Sequence, residues 1–423
     1  MGVKVAVVGG GSTYTPELVE GLAARRDRLP VDELVLHDID AERLEVVGGF
    51  AARMMRRDAW DAVLRLTRDR AEALDGAAFV IVQLRVGGQA ARRVDETLPL
   101  QFGCIGQETV GAGGFAKALR TVPVVLEIAE ETTRRAAPGA WLIDFTNPAG
   151  LVTQALLDHG HRAIGLCNSA IGFQRQFASL LDVDPDRVQP LHVGLNHLTW
   201  EREVLVDGED RLPDLLQDQA ERLEEMTGTP LPLIQALEAV PSYYLRYYYL
   251  TDEVLAEQRQ KPPRADEVAE IEVQLLELYR DPELDRKPDV LSRRGGAYYS
   301  EVAAGVIASL DAGSGEVHVV NVRNDGAIPN VDSDAVVEVP ARVDRGGAQP
   351  LRVGELPPEM LGLVEQIKAF ERLTIQAAVA GDRNAALKAL VANPLVADYA
   401  TAAPLLEALL EANRSHLPRF FGA

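Results

Sequence analysis

A cysteine and a histidine are the residues of this chain best suited to chemistry, because each follows a short apolar run. Cys167 comes directly after Ala163–Leu166, and His197 comes two positions after Leu191–Leu195. Both runs have the length and composition of buried β-strands. A thiolate and an imidazole at two strand ends could hold a divalent metal. The alternative is a buried inert thiol and a polar core histidine, the second role being open to His192 as well.

The start of the chain contains a candidate nucleotide-binding loop. A predicted strand, Val3–Val8, ends in three glycines and precedes a predicted helix, which is where a dinucleotide pyrophosphate meets helix N–H groups. Asp38 ends the next predicted strand and is placed to bond ribose hydroxyls. The candidate cofactor residues are Gly9, Gly10, Gly11, Ser12, Thr13 and Asp38. Tyr14 replaces the third glycine of G-x-G-x-x-G, so a tight turn without a ligand is the alternative.

The order of predicted elements indicates an α/β fold. Strand and helix patterns alternate through the first half, which predicts a Rossmann-type, doubly wound parallel sheet with helices on both faces. The second half mixes strands, Val317–Val322 and Ala335–Val339, with a helical tail from Pro357. We therefore expect an NAD-binding domain over residues 1–195. An α+β domain over residues 196–423 would close the site and carry substrate, metal and subunit contacts.

Composition narrows the classes of partner. The net charge is −21, which disfavours nucleic acid and anionic membranes as partners. The chain contains only two cysteines, so no disulfide framework is expected. It has neither a signal-peptide pattern nor an apolar run of about 18 residues, which predicts a cytoplasmic protein without a membrane span.

An ordered set of short motifs resembles a known family. The motifs are Gly9–Leu18, Gly106–Thr109, Thr146–Pro148, Cys167-Asn168, Gly194–His197 and Pro241–Tyr249. Together they resemble the NAD- and manganese-dependent glycoside hydrolases of family 4, most of all the bacterial 6-phospho-β-glucosidases. The resemblance covers most of the chain, to about Pro340, and implies the fold of lactate and malate dehydrogenases.

The resemblance also implies an unusual route to hydrolysis, since this family is an exception to the two-carboxylate glycosidases. C3 of the sugar is oxidised by NAD⁺, which makes the C2 proton acidic. A base removes that proton, the C1–O bond breaks by elimination, water adds, and the hydride returns. A divalent metal, manganese or another, polarises the C3 carbonyl.

The resemblance assigns the reacting groups. Cys167 and His197 match the family's metal ligands, and Tyr244 matches the base at C2. The adjacent Tyr243 is the alternative base, and an aromatic packing face is the alternative role for this tyrosine-rich run. Glu108 matches a residue that tunes the base, and its alternative is a solvated loop carboxylate.

The resemblance assigns four substrate contacts as well. Asn147 matches a residue that faces sugar and nicotinamide, although a turn-forming asparagine before proline is the alternative. Arg92 and Arg264 match contacts to the sugar or its 6-phosphate, and their alternative is a surface ion pair. Asn168 stands where α-specific relatives carry an aspartate, which favours the β-type branch and leaves the proton donor unassigned. Such enzymes are homodimers or homotetramers, which we expect here by analogy.

Two other functions fit parts of the pattern. A 2-hydroxyacid dehydrogenase of the lactate/malate type would share the fold, NAD, Asn147 and a strand-end histidine, but would give Cys167 no metal role. A non-catalytic NAD-sensing or carbohydrate-binding regulator would need none of the reactive groups. The phosphate requirement and the choice between gluco and galacto substrates stay open, as does action on unphosphorylated hexosides.

Overall fold

The elements of the chain are seen in a computed structural model, which describes residues 2–295, 298–396 and 398–422. The strands are β1 Val3–Val8, β2 Val31–His37, β3 Val63–Thr67, β4 Phe79–Val82, β5 Trp141–Asp144, β6 Ala163–Gly165, β7 Val188–Leu195, β8 Leu198–Val206, β9 Glu209–Asp210, β10 Val240–Pro241, β11 Glu316–Arg323, β12 Val336–Asp344 and β13 Gly347–Pro350. The helices of the first half are α1 Thr15–Ala23, α2 Ala41–Arg57, α3 Arg70–Leu74, α4 Gly88–Thr97, α5 Gly111–Arg135, α6 Ala149–Asp158 and α7 Ser169–Leu181. Those of the second half are α8 Leu212–Asp218, α9 Ala220–Thr227, α10 Leu231–Leu237, α11 Arg246–Tyr249, α12 Thr251–Gln258, α13 Arg264–Arg280, α14 Tyr299–Ala312, α15 Pro358–Ala380, α16 Arg383–Ala392, α17 Tyr399–Ala412 and α18 Pro418–Phe421.

Six parallel strands form the first part of the sheet. Their spatial order is β3-β2-β1-β4-β5-β6, and β1 pairs with both β2 and β4. This is the strand order of the Rossmann fold, whose ligands bind at the carboxyl ends of the strands where the order reverses. The predicted α/β, doubly wound fold is confirmed.

The uninterrupted apolar run at the end of β1 explains why helices cover both faces of the sheet. Val5 and Val7 belong to one buried cluster, whereas Ala6 and Val8 belong to another on the opposite face. Successive strand residues point to opposite faces, so an uninterrupted apolar run must be covered twice. Helices α1 and α2 contribute to the first cluster, and α5 and α6 contribute to the second.

The sheet continues past β6 with antiparallel strands. The order is β6-β11-β12-β7-β8-β10, so strands from the second half extend the sheet of the first. The predicted division at residues 195 and 196 falls in the turn between β7 and β8, which pair antiparallel. The assignment of separate roles to residues 1–195 and 196–423 stays a prediction.

Some elements differ from the sequence-based expectation. Residues 214–238, whose polar pattern predicts one helical segment, form three short helices, α8 to α10. The last break occurs because Gly228 adopts a positive φ and Pro230 precedes the third helix. Strand β3 was not predicted, because its outer position leaves Val63 and Leu66 exposed and removes the apolar signal. The tail forms α15, α16 and α17; Ala397, inside this predicted helical stretch, lies outside the described residues.

In the part of the chain that the structure describes, no helix has the length and apolarity that crossing a membrane requires.

Candidate active site

Most of the predicted site residues lie at one edge of the parallel sheet. Gly9 follows β1, Asp38 follows β2, Asn147 lies beyond β5, and Cys167 lies beyond β6. The carboxyl ends of parallel strands share one edge, so the chain brings these groups together without a long loop. His197 reaches the same region from the turn between β7 and β8.

The glycine loop is shaped for close approach of a ligand to the backbone. Gly9 has φ +94°, and a Cβ there would lie 2.3 Å from the carbonyl oxygen of Gln83, so no other residue fits. The N–H of Gly11 donates to Asp38 Oδ2 at 2.9 Å, which places the carboxylate beside the loop. Thr13 Oγ1 is buried with no partner among the described residues. A bare backbone, a carboxylate and an orphaned hydroxyl at a helix start fit a dinucleotide.

His197 is held in a two-residue turn with a fixed orientation. Its φ is +63°, a left-handed conformation that a non-glycine residue adopts only where the surroundings impose it. The turn is tight because Gly194 precedes it with φ +143°, where a Cβ would lie 2.1 Å from Leu198 O. His197 Nδ1 bonds Thr109 Oγ1 at 2.9 Å, and burial lowers the pKa of the imidazole to about 4. The ring is therefore neutral, with Nε2 left as its possible metal ligand.

Cys167, like His197, has a buried side chain. Its thiol is 4% exposed and donates to Ser169 Oγ at 3.4 Å, and it also bonds the side chain of Asn196, the residue before His197. Burial raises the pKa of the thiol to about 12, so it is protonated until a cation displaces the proton. Among the described residues, no three or more His, Cys, Asp or Glu side chains are grouped to hold a metal. The assignment of Cys167 and His197 as metal ligands stays a prediction, under which two protein ligands would leave positions for substrate.

Tyr244 is the tyrosine that the structure brings to this pair. Its ring stacks on the ring of His197, with centroids 3.8 Å apart and planes 7° from parallel. Burial raises its pKa well above the usual value, and the nearby Cys167 adds to the increase. Tyr243, the alternative base, is 46% exposed and accepts a hydrogen bond from Arg246. Of the two candidate bases, the structure therefore places Tyr244, and not Tyr243, against His197.

Glu108 lies in a buried cluster of cations. Lys117 Nζ donates to its Oε2 at 2.7 Å, Arg85 donates to both of its oxygens, and Arg92 Nη2 lies 3.3 Å from Oε1. Burial alone would raise the pKa of Glu108, but the three cations outweigh it and hold the pKa well below its usual range. Burial lowers the pKa of Lys117 to about 8. The solvated-loop alternative for Glu108 and the surface-pair alternative for Arg92 do not describe these buried contacts.

The remaining predicted contacts differ in how close they lie to the site. Asn147 Oδ1 is buried with no partner among the described residues, so it can accept a bond from a ligand. Asn168 is the N-cap of α7, directly after Cys167. Arg264 lies farther out, half-exposed at the start of α13, with Glu267 and the carbonyl of Arg293 as partners.

Five residues near the site were not predicted from the sequence. They are Arg85, Lys117, Asn196, Tyr299 and Glu338. A signal existed for Glu338, which lies between apolar residues in the first half of β12, whereas Lys117 shares α5 with several other charged residues and carried none. Tyr299 carried no such signal; it reaches Cys167 and Tyr244 from α14.

Comparison with protein-family models identifies this arrangement. Residues 4–183 match the model described as family 4 glycosyl hydrolase, and residues 192–396 match its C-terminal domain. The chain belongs to glycosyl hydrolase family 4. The resemblance drawn from the motifs is thereby confirmed.

Known proteins align with nearly the whole chain. A probable 6-phospho-β-glucosidase of Bacillus subtilis is 43% identical, with 99% of this chain and 98% of the relative covered. The solved 6-phospho-β-glucosidase of Thermotoga maritima, in a crystal with NAD and glucose-6-phosphate, has a TM-score of 0.92 at 36% identity, over 98% of this chain and 99% of that one. A second crystal of that enzyme, with manganese, NAD⁺ and glucose-6-phosphate, gives 0.91 at 35% identity over the same shares. A malate dehydrogenase of Plasmodium falciparum gives 0.55 at 14% identity, over 92% of this chain and 99% of that one, which confirms the fold alone.

Proposed function

We propose that this protein hydrolyses 6-phospho-β-glucosides with NAD⁺ and a divalent metal, manganese by analogy with the crystallised relative. The observation that carries the proposal is the stack of Tyr244 on His197 beside Cys167. This stack places a candidate base next to a possible metal-binding pair. A site that only transfers hydride would not need such a base. The full-length similarity to 6-phospho-β-glucosidases supports the same assignment.

The residues of the site fit NAD⁺ and a divalent metal. The Gly9–Gly11 loop and Asp38 would hold NAD⁺, and Cys167 and His197 would hold the metal. When bound, NAD⁺ supplies a reversible hydride acceptor for C3, and the metal supplies a Lewis acid for the C3 oxygen. Two protein ligands are few for manganese, which prefers oxygen, so sugar hydroxyls or water would complete the shell.

The chain's own residues then move protons and hold the sugar. Tyr244 removes the C2 proton through its phenolic oxygen, which needs a nearby cation because its pKa is raised by burial. Glu108 keeps Arg92 and Lys117 in place at one side of the site. Asn147 Oδ1 accepts a hydrogen bond from a sugar hydroxyl or the nicotinamide amide.

Substrate choice is the finer part of the proposal. Asn168 provides no carboxylic acid next to Cys167, which favours β-glucosides over α-glucosides. Arg264 and Arg92 are proposed to meet the 6-phosphate, as bidentate arginine contacts suit that group. The start of α13 reaches Arg92 through Glu96, which accepts from both Arg92 Nε and the N–H of Ala265, each at 2.7 Å.

Assembly and location complete the proposal. A homodimer or homotetramer in the cytoplasm is expected, in which residues 1–195 bind NAD⁺ and residues 196–423 supply substrate, metal and subunit contacts.

A panel of p-nitrophenyl glycosides tests the function. The α- and β-glucosides and β-galactosides, each with and without 6-phosphate, are assayed with NAD⁺, Mn²⁺ and a reductant. We expect turnover of the phosphorylated β-glucoside, loss after EDTA, recovery with Mn²⁺, and no net NADH. In D₂O the glucose-6-phosphate product should carry deuterium at C2. Product without it, or net NADH consumption with pyruvate or oxaloacetate, would exclude this function.

A further inference from the structure

Three charged side chains are buried together beneath the candidate metal site. His192 on β7 bonds Glu201 on β8 through Nδ1 at 2.5 Å and Glu338 on β12 through Nε2 at 2.9 Å. All three side chains are at most 1% exposed. None of them is used in the reaction proposed above.

The charge of this cluster is set by its contacts. Burial would lower the pKa of His192, but the two carboxylates outweigh it and raise the pKa to about 10. One imidazolium between two carboxylates leaves a net charge of −1. A buried charge of this kind costs several kcal/mol in desolvation and is often no more stable than an apolar replacement. Stability alone therefore does not explain why these three charged side chains are buried within the sheet.

Glu338 connects the cluster to the metal-binding pair. Its Oε2 accepts from Asn196 Nδ2 at 2.7 Å and from Asn321 Nδ2 at 3.0 Å. Asn196 precedes His197 in the two-residue turn, and its side chain also bonds Cys167. One amide thus bridges the buried carboxylate and the sulfur, with the imidazole on the adjacent residue.

We propose that Glu338 is a positioning residue of the metal site, which orients Asn196 and places negative charge behind Cys167 and His197. This inference rests on the proposed function, because it needs a metal at that pair. Ligands are commonly oriented by such outer contacts, and their loss typically weakens metal binding about 10- to 100-fold. The effect matters here because the pair offers only two protein ligands and no carboxylate.

Direct titration of Mn²⁺ tests the proposal without catalysis. The electron paramagnetic resonance signal of free aqueous Mn²⁺ reports binding to wild type, Cys167→Ala, Glu338→Gln and Glu201→Gln. We expect Glu338→Gln to raise the Kd at least tenfold while the NAD⁺ affinity stays within about twofold of wild type. Glu201→Gln is the matched control, since it removes an equally buried carboxylate from the same histidine on the far side, and its Kd should stay within about threefold.

A double-mutant cycle separates positioning from a general loss of structure. Asn196→Ala should weaken Mn²⁺ binding as Glu338→Gln does, and the double variant should be no weaker than either, because both remove one link. Additive losses in the cycle overturn the proposal, as does a folded Glu338→Gln with the wild-type Kd. Wild type that binds no Mn²⁺, or Cys167→Ala that binds it fully, overturns the metal site itself and this inference with it.

Discussion

The ring of Tyr244 lies flat against the ring of His197, 3.8 Å away from centroid to centroid. This contact places a phenol against an imidazole that burial keeps neutral. A neutral imidazole does not lower the pKa of the phenol, so the stack alone does not make Tyr244 a base at neutral pH. Tyr244 can therefore act as a base near neutral pH only when a cation is held beside it.

Replacement of Tyr244 by phenylalanine should abolish most of the activity. The ring stack is kept and the proton acceptor is lost, so kcat should fall by about 10²-fold or more, the usual contribution of a positioned base. Steady-state kinetics on the phosphorylated β-glucoside measures this. Tyr243→Phe is the matched control, because Tyr243 is exposed and contacts Arg246 instead, and it should stay within about threefold. Equal losses in both variants would remove Tyr244 from the role of base.

Replacement of Glu108 by glutamine should destabilise the fold strongly. The change leaves Arg85, Arg92 and Lys117 close together without their shared carboxylate. Removal of one partner from a buried ion pair costs about 3–5 kcal/mol in the free energy of unfolding. Urea unfolding measures the difference from wild type.

Glu131 provides the control for this measurement. It also pairs with two arginines, Arg70 and Arg135, but these are substantially exposed. Glu131→Gln should therefore cost no more than about 1 kcal/mol. A Glu108→Gln variant as stable as Glu131→Gln would show that the cations near Glu108 are solvated.

The sequence predicted those parts of the site that depend on local order. A glycine run after a strand, or a cysteine after a short apolar run, keeps its meaning because strand ends share one edge of a parallel sheet. The same reasoning located Gly9–Gly11, Asp38 and Cys167 correctly at that edge. The ordered motifs added the family, which composition and spacing alone did not identify.

Contacts between distant segments could not be predicted in this way. Glu338 meets Asn196 across 142 positions, and the pairing depends on β12 lying next to β7. Neither the strand order of the antiparallel extension nor its register has a local signal in the sequence. The burial of Lys117 was equally hidden, because its partner Glu108 lies on a loop whose path is set by tertiary packing.

Replacement of Arg264 by alanine should discriminate between substrates. If the arginine meets the 6-phosphate, kcat/KM for the phosphorylated β-glucoside should fall about tenfold or more, since hydrogen bonds to charged groups contribute about 1.5–3 kcal/mol. The unphosphorylated β-glucoside should be affected less than about threefold. Arg93→Ala is the matched control, because Arg93 is also exposed and pairs with Asp266 on the same helix, α13. Equal losses with both substrates would argue against a phosphate contact.

The stability of the protein should fall at alkaline pH, because His192 is buried between two carboxylates. The pKa of this histidine rises from 6.5 to about 10 on folding, because the carboxylates of Glu201 and Glu338 outweigh the opposing effect of burial. Its stabilising contribution is therefore complete below pH 6.5 and is lost as pH rises toward 10. Between these values unfolding releases one proton, and this group alone lowers the free energy of unfolding by about 1.4 kcal/mol per pH unit.

A comparison with Glu201→Gln isolates this effect from all other titrations. The variant removes one of the two carboxylates, so the pKa of His192 in its folded state should lie below that of wild type. Other groups titrate alike in both proteins, and the stability gap between them should narrow as pH rises from 7 to 10. Urea unfolding at half-unit pH steps measures the gap. A gap that stays constant across that range would mean that His192 is uncharged in the folded protein, and that the buried cluster beneath Cys167 and His197 carries two unbalanced carboxylates or a shared proton instead.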